Sequence, residues 1–349
     1  MSTASHVRED WLATTVEPAI EPALPIVDPH HHLWDSPGRY DRPGWRYLLD
    51  ELLADVTGSG HDIRATVYVQ STRSFLRADG PEAMRGVNET EFANGVGAMC
   101  ASGRYGAIRV CAGIVGVADL RLGDAVRPVL EAHIRAGGER FRGIRDIATW
   151  DPDPALLNPA YTPPEDMLNS PGFRAGIAQL HALGLSFDAW LYFHQIPRLV
   201  SLARAFPALP IVLNHCGGIL GIGRYAGRRE EVFAAWSAHL RDLATCPNVM
   251  MKLGGLGMRL PGFGFEERGR APSSAELAQA WKPWMETIIE LFGASRCMFE
   301  SNFPVDKGGF AYGIGWNAMK RIASGASEAE KADLFRRSAA RFYRLPGLD

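Results

Sequence analysis

The chain has 349 residues, 46% of them hydrophobic and 22% charged, with a formal net charge of -2 and a pI near 6.6. That balance belongs to a folded globular protein and gives no electrostatic case for nucleic acid or an anionic membrane as partner. The five cysteines are scattered without a Cys-x-x-Cys pair, no segment reaches the roughly 18 apolar residues of a membrane span, and MSTASHVREDWLATT lacks a signal-peptide core, so a reduced, cytoplasmic protein is expected.

Residues 1–23 read as an irregular arm, with Pro18 and Pro22 preventing a long helix. The first strand lies in LPIVDPHHHLWD, Leu24 to Asp35. Strand alternation there puts Asp28, His30 and His32 on one side and Pro29 and His31 on the other. After the loop SPGRYDRPGW a short helix is expected around Tyr47 to Asp55. IRATVYVQ, ending at Gln70, alternates with period two and makes the second strand. A helical stretch from Pro81 to Gly103 leads to the third strand, GAIRVCAGIVG. A helix from Asp124 to Ala136 then precedes the fourth, FRGIRDI from Phe141. The proline-rich loop TWDPDPALLNPAYTPPEDML and a helix from Gly172 to Leu183 lead to LSFDAWLYFHQ as fifth strand. LPIVLNH is the sixth, NVMMKLGG the seventh and RCMFESN the eighth. Helices from Pro197 to Ala205, Val232 to Ala244 and Ala275 to Phe292 separate these. Two more, around Gly315 to Ala323 and Glu328 to Tyr343, end the chain.

Eight strands, each followed by a helical segment and without a change of composition, predict one (β/α)8 barrel over residues 24–349. A doubly wound open sheet is the rival, weakened by the lack of a Gly-x-Gly-x-x-Gly after the first strand. In a barrel the active site sits at the C-terminal strand ends. There the sequence places His30 and His32, Arg142 or Arg145, His194, Asn214 and His215, Lys252, and Glu300 with Asn302. The remaining histidines, His6, His31, His61, His133, His181 and His239, are expected on the surface or on helices. Taken singly the mouth residues have plain readings: His194 bonding a loop carbonyl, His215 capping a helix, Lys252 a solvated strand end. Together they form a ring suited to metal binding or acid–base work, since neutral imidazole is both a common metal ligand and a proton carrier near neutral pH.

DPHHHLWD, FRGIRD, NHCGG and MFESNFPVD, in that order from Val27 to Leu345, resemble the amidohydrolase superfamily, in its lactonase-like amidohydrolase-related group. The resemblance implies a barrel in which His30, His32 and His194 bind a divalent metal, with zinc the expected ion, although some lactonases of the group work without one. It also implies that His215 assists proton transfer or holds the substrate. The family commonly carries an aspartate where this chain has Asn302, and asparagine cannot take a proton from water. Glu300, two residues earlier on the same strand face, is expected to supply the missing carboxylate as base or ligand, with Asn302 holding substrate. The competing expectation pairs Glu300 with Arg142 or Lys252 inside the barrel.

The expected reaction is hydrolysis of a cyclic ester of a small carboxylated or sugar-acid substrate. Arg145 and Lys252 would bind the substrate's polar groups, and Trp34, Trp190 and Tyr192 would wall the pocket. Nonoxidative decarboxylation of an unsaturated or aromatic acid is the alternative reaction, and a ligand-binding barrel without turnover is the alternative of another class. The expected partner is a small molecule, and a homo-oligomer is compatible with the sequence.

Overall fold

The computed structural model describes residues 7–36, 45–71, 74–157 and 161–349. His6, most of the loop SPGRYDRPGW and three residues of the proline-rich loop therefore lie outside the described residues. The described strands are β1 (Ile26–His31), β2 (Trp34–Ser36), β3 (Trp45–Tyr47), β4 (Ile63–Val69), β5 (Arg109–Gly116), β6 (Phe141–Ile147), β7 (Ser186–Trp190), β8 (Ile211–Leu213), β9 (Val249–Leu253) and β10 (Cys297–Phe299). β2 and β3 form a small antiparallel ribbon. The other eight make one parallel sheet in the order β1-β4-β5-β6-β7-β8-β9-β10.

The sheet closes just beyond its first and last strands. Asn302 N–H donates to the His30 carbonyl at 2.9 Å, and His32 N–H donates to the Phe303 carbonyl at 2.7 Å. With helices between the strands this is the expected (β/α)8 barrel, and closure leaves no edge carrying unpaired amides. Helices form where periodic apolar residues meet a start signal. Ser273 and Glu276 cap each other reciprocally at the head of Ser274–Phe292, which buries Leu277, Trp281, Trp284, Met285 and Ile288 on one side.

One apolar cluster fills the barrel itself. Val27, Val67, Val69, Val115, Val212 and Met298 pack with Ala339, Phe342, Tyr343 and Leu345 of the C-terminal segment, which stops the barrel floor. The larger cluster lies between strands and helices. The N-terminal arm is docked: Trp11 and Leu12 are buried beside Ala271, and Lys320 donates to the carbonyls of Ile20 and Glu21.

Several expectations are corrected. The fifth strand stops at Trp190, because the apolar run after it is buried as a turn, Phe193–Gln195, instead of a ladder. The stretch from Pro81 splits into a short turn and the helix Val87–Ala101, and the last helix is interrupted by a π turn at Asp333–Arg337. The register slips between Asp28 and His31, so strict alternation fails in β1. His31 and His61 are buried and hydrogen-bonded instead of lying on the surface or a helix, with His31 Nε2 meeting Thr66 Oγ1 at 2.9 Å; His133 is on a helix as expected, Arg127–Gly137, but buried between Thr90 Oγ1 and the Val117 carbonyl.

Burial pushes the pKa of His31 down to about 3, and those of His61 and His133 down to about 4. The unfolded chain binds protons on these rings below pH 6.5 while the folded chain does not, so their contribution to stability is complete above that pH and falls below it. Each ring contributes a slope of about 1.4 kcal/mol per pH unit. The melting temperature of His133→Gln should therefore change less unfavourably from pH 6.5 to 5 than that of the parent chain; an identical pH dependence would contradict the assignment.

Candidate active site

Asp28, His30, Lys252, Asp188, His215, Glu300 and Asn302 are all buried near the C-terminal strand ends. Glu300, the first residue after β10, lies between two imidazoles. His215 Nδ1–H donates to Glu300 Oε1 at 2.7 Å, and the His215 backbone N–H reaches the same oxygen at 3.1 Å. Glu300 Oε2 approaches His30 Nδ1 to 2.7 Å, but off the direction of a hydrogen bond, so that oxygen keeps an unspent acceptor. With Nδ1 donating, His215 Nε2 carries the lone pair.

His215 is held by an unusual backbone. It opens a four-residue left-handed turn, His215–Gly218, in which His215 has φ 56°, Cys216 51°, Gly217 74° and Gly218 68°. Such φ values are strained for residues other than glycine and cluster at functional sites. Gly218 is required twice, since a Cβ there would also run into the Leu191 carbonyl. Burial lowers the pKa of His215, partly offset by the Glu300 carboxylate. Asn302 is strained in the same sense, at φ 54°.

Two buried cations face His30. Arg145 Nη1 donates to His30 Nε2 at 3.3 Å and its second amino group donates to the Gln70 carbonyl. Burial pulls the Arg145 pKa down to about 10, with Asp188 and Glu89 opposing. Lys252 Nζ lies 3.3 Å from His30 Nδ1 and donates to Asp188 Oδ2 at 2.9 Å, where Tyr343 O–H also donates, at 2.6 Å. Lys252 is thus a buried ion-pair partner, not a solvated strand end, and the expected pairing of Glu300 with Lys252 or Arg142 is replaced by the two histidines. Arg142 lies outside the barrel against the Phe141 and Arg344 carbonyls. Arg145⁺ and Lys252⁺ against Asp188⁻ and Glu300⁻ leave this inner group balanced.

His32 Nδ1–H donates to the Val69 carbonyl at 2.7 Å, which fixes the tautomer with Nε2 as the basic nitrogen. Its ring lies 4.9 Å from that of His30 and stacks on Trp34. His194 stands apart: its Nε2 is 3.0 Å from Asp151 Oδ2, its ring stacks on Tyr225, and it is 23% exposed. Tyr192 spends its hydroxyl on the Leu156 carbonyl, and Trp190 meets the His215 ring edge-on at 4.6 Å. Asn302 Nδ2 donates to Asp306 at 2.8 Å, leaving Asn302 Oδ1 buried and without a partner. Burial pushes the Asp306 carboxyl well above the usual range, against bonds from Gly257 and Asn302.

Among the described residues, the set of possible ligand atoms lying within 4.8 Å of one another is supplied by His30, His215 and Glu300. Burial keeps His30 and His32 well below the ordinary histidine pKa, hence neutral, the form that binds a metal. Together with the unspent Glu300 oxygen, this donor chemistry suits a divalent ion. Sequence reading passed over Asp188, whose signal was the alternation SFDAW across β7. Asp28, expected on the same strand face as His30 and His32 but given no role there, turns to Tyr312 O–H at 2.9 Å and Ser301 N–H at 3.0 Å and so braces β1 against the segment after β10.

The model of the family described as Amidohydrolase matches residues 27–345. An uncharacterized protein y4mH of Sinorhizobium fredii is 32% identical over 333 residues, 92% of this chain and 99% of that one. An L-fucono-1,5-lactonase of Burkholderia multivorans is 26% identical over 329 residues, 92% and 96% of the two chains. A crystal structure of an amidohydrolase from Burkholderia multivorans with bound zinc aligns with a TM-score of 0.67 at 25% identity, covering 92% of this chain and 99% of that one.

Asp188→Asn should destabilise the fold by about 3–5 kcal/mol in urea denaturation, because it strands the Lys252 ammonium without a counter-charge. A change within about 0.5 kcal/mol would show that Lys252 does not depend on the pair.

Proposed function

Because this chain belongs to the amidohydrolase family, a family of hydrolases, we propose that it opens the ring of a lactone of a small sugar acid. The observation that carries the reading is the Glu300 carboxylate held 2.7 Å from both His30 and His215, together with the relatives named as L-fucono-1,5-lactonases. The Asn302 position lacks a base, and Glu300 is the carboxylate that replaces it.

His215 takes a proton from water at Nε2 as the water oxygen bonds to the lactone carbonyl carbon, while Glu300 Oε1, accepting from Nδ1–H, holds the tautomer and stabilises the imidazolium that forms. The unspent acceptor Asn302 Oδ1 orients that water by accepting its other hydrogen. Arg145 supplies fixed N–H donors for the carbonyl oxygen as charge builds on it, in a buried setting where such donors act most strongly. His215 then returns the proton to the ring oxygen as the ester bond breaks, so the proton balance closes on one residue. A divalent metal, zinc by the donor set, would be held by His30 and the free Glu300 oxygen with His32 adjacent, leaving His215 to carry the proton, and would polarise a carbonyl or lower the pKa of water. His194, paired with Asp151 and partly exposed, would bind a substrate hydroxyl.

Proton release should be seen on a panel of aldono-1,5-lactones that includes L-fucono-1,5-lactone. Glu300→Gln should lower kcat by about 10²–10⁴-fold, with the fold intact by circular dichroism. Full activity in that variant would overturn the role of Glu300. Carbon dioxide release from unsaturated acids without lactone turnover would favour decarboxylation, and ligand affinity without any product would favour a binding protein.

A further inference from the structure

At the opposite end of the barrel, a cavity of about 620 Å³ is lined by Arg109, Arg140 and Arg142, with Glu139 as its one acid. It opens where β5 and β6 begin, beside the helix Val87–Ala101 and the C-terminal Pro346. We propose that this cavity binds a small molecule carrying two or more phosphate charges.

The argument starts from uncompensated charge. None of these arginines, nor the adjacent Arg344, has a carboxylate within 4 Å among the described residues. Their partners are neutral. Arg109 Nη1 donates to the Pro346 carbonyl at 2.7 Å, and Arg140 Nη1 donates to Asn94 Oδ1 at 2.7 Å. Arg142 and Arg344 each donate to the other's backbone carbonyl at 3.3 Å. Arg142 Nε is buried without a partner. Burial first, and then the charges of Arg344 and Arg109, lower the Arg142 pKa against the pull of Glu139. Cations gathered this way repel one another until an anion enters, and the planar guanidinium fork matches phosphate oxygens. The cavity has the volume of a small-metabolite site.

The cluster is also built at a local cost. Gly97 sits inside a helix, where glycine costs about 1 kcal/mol relative to alanine. A Cβ at that position would lie 2.9 Å from Arg140 Nε, so the glycine is what lets Arg140 lie across the helix into the cavity. Arg344 is held at φ 50°, a left-handed conformation that few side chains adopt without constraint. An anion here would tie the C-terminal stopper of the barrel floor to β5 and β6, and so would stabilise the fold from the end opposite the catalytic groups.

The test uses the full chain with sodium pyrophosphate, against citrate and sodium chloride at matched ionic strength, read by melting temperature and isothermal calorimetry. Pyrophosphate at a 100-fold excess over its Kd should raise the melting temperature by about 4 °C, and chloride should not. Arg142→Gln should weaken binding at least tenfold. Arg109→Gln, at an exposed position, should do the same if the first variant does not fold. Arg145→Gln, at the other end of the barrel, should bind pyrophosphate as before. Absence of binding at millimolar pyrophosphate would overturn the proposal, as would an equal or stronger response to citrate. Binding lost in Arg145→Gln but kept in Arg142→Gln would place the anion in the catalytic site and overturn it too.

Discussion

The mouth of this barrel depends on Glu300, a carboxylate without solvent exposure, lying between the imidazoles of His30 and His215. Those residues come from the first strand, from the turn after β8 and from the end of the last strand, so the contact joins elements distant in the chain across the point where the sheet closes. A buried charge is tolerable only when its lone pairs are used, and one Glu300 oxygen is satisfied twice by His215 alone. The other remains available to water or an ion, which makes the same residue a structural tie and, in the proposed reaction, a reactive group.

Around this tie the charges are arranged in balance. Arg145 and Lys252 face His30, and Asp188 sits under Lys252 with the Tyr343 hydroxyl rising from the C-terminal stopper. The Tyr343 bond links the barrel floor to the candidate site, so packing of the last helix bears on the position of Lys252. Backbone strain at His215, Cys216 and Asn302 gathers at the same mouth, stabilised by the surrounding closed sheet. Such strain is what holds a short side chain at an angle that a relaxed turn would not give.

Much of the barrel was legible in the sequence, because buried parallel strands announce themselves as short apolar runs between helical periods. The eight strands and the (β/α)8 architecture are borne out. Misplaced boundaries have physical causes: LYFHQ is as apolar as a strand but folds as a buried turn, and with the register slip in β1 the Asp28 carboxylate is used on Ser301, Tyr312 and the His30 backbone N–H. At the site, strand ends located His30, His215, Glu300 and Lys252, while spacing could not say which charge would pair with which. His194 is on an apolar-looking run yet sits with Asp151 and Tyr225, because the turn after Trp190 carries it outward. The left-handed turn at NHCGG was written in its paired glycines, a signal for positive φ that says nothing by itself about the histidine before them. The burial of His31 and His133 followed from Thr66, Thr90 and the Val117 carbonyl, long-range partners invisible to periodicity.

The central claim is that His215 and Glu300 act as one unit. A double-mutant cycle on kcat/KM for lactone hydrolysis, with His215→Asn, Glu300→Gln and the double variant, measures this directly. The account predicts that the double variant is about as slow as the slower single variant, because removing either residue disables the same proton path. Losses that multiply, as for independent residues, would contradict it.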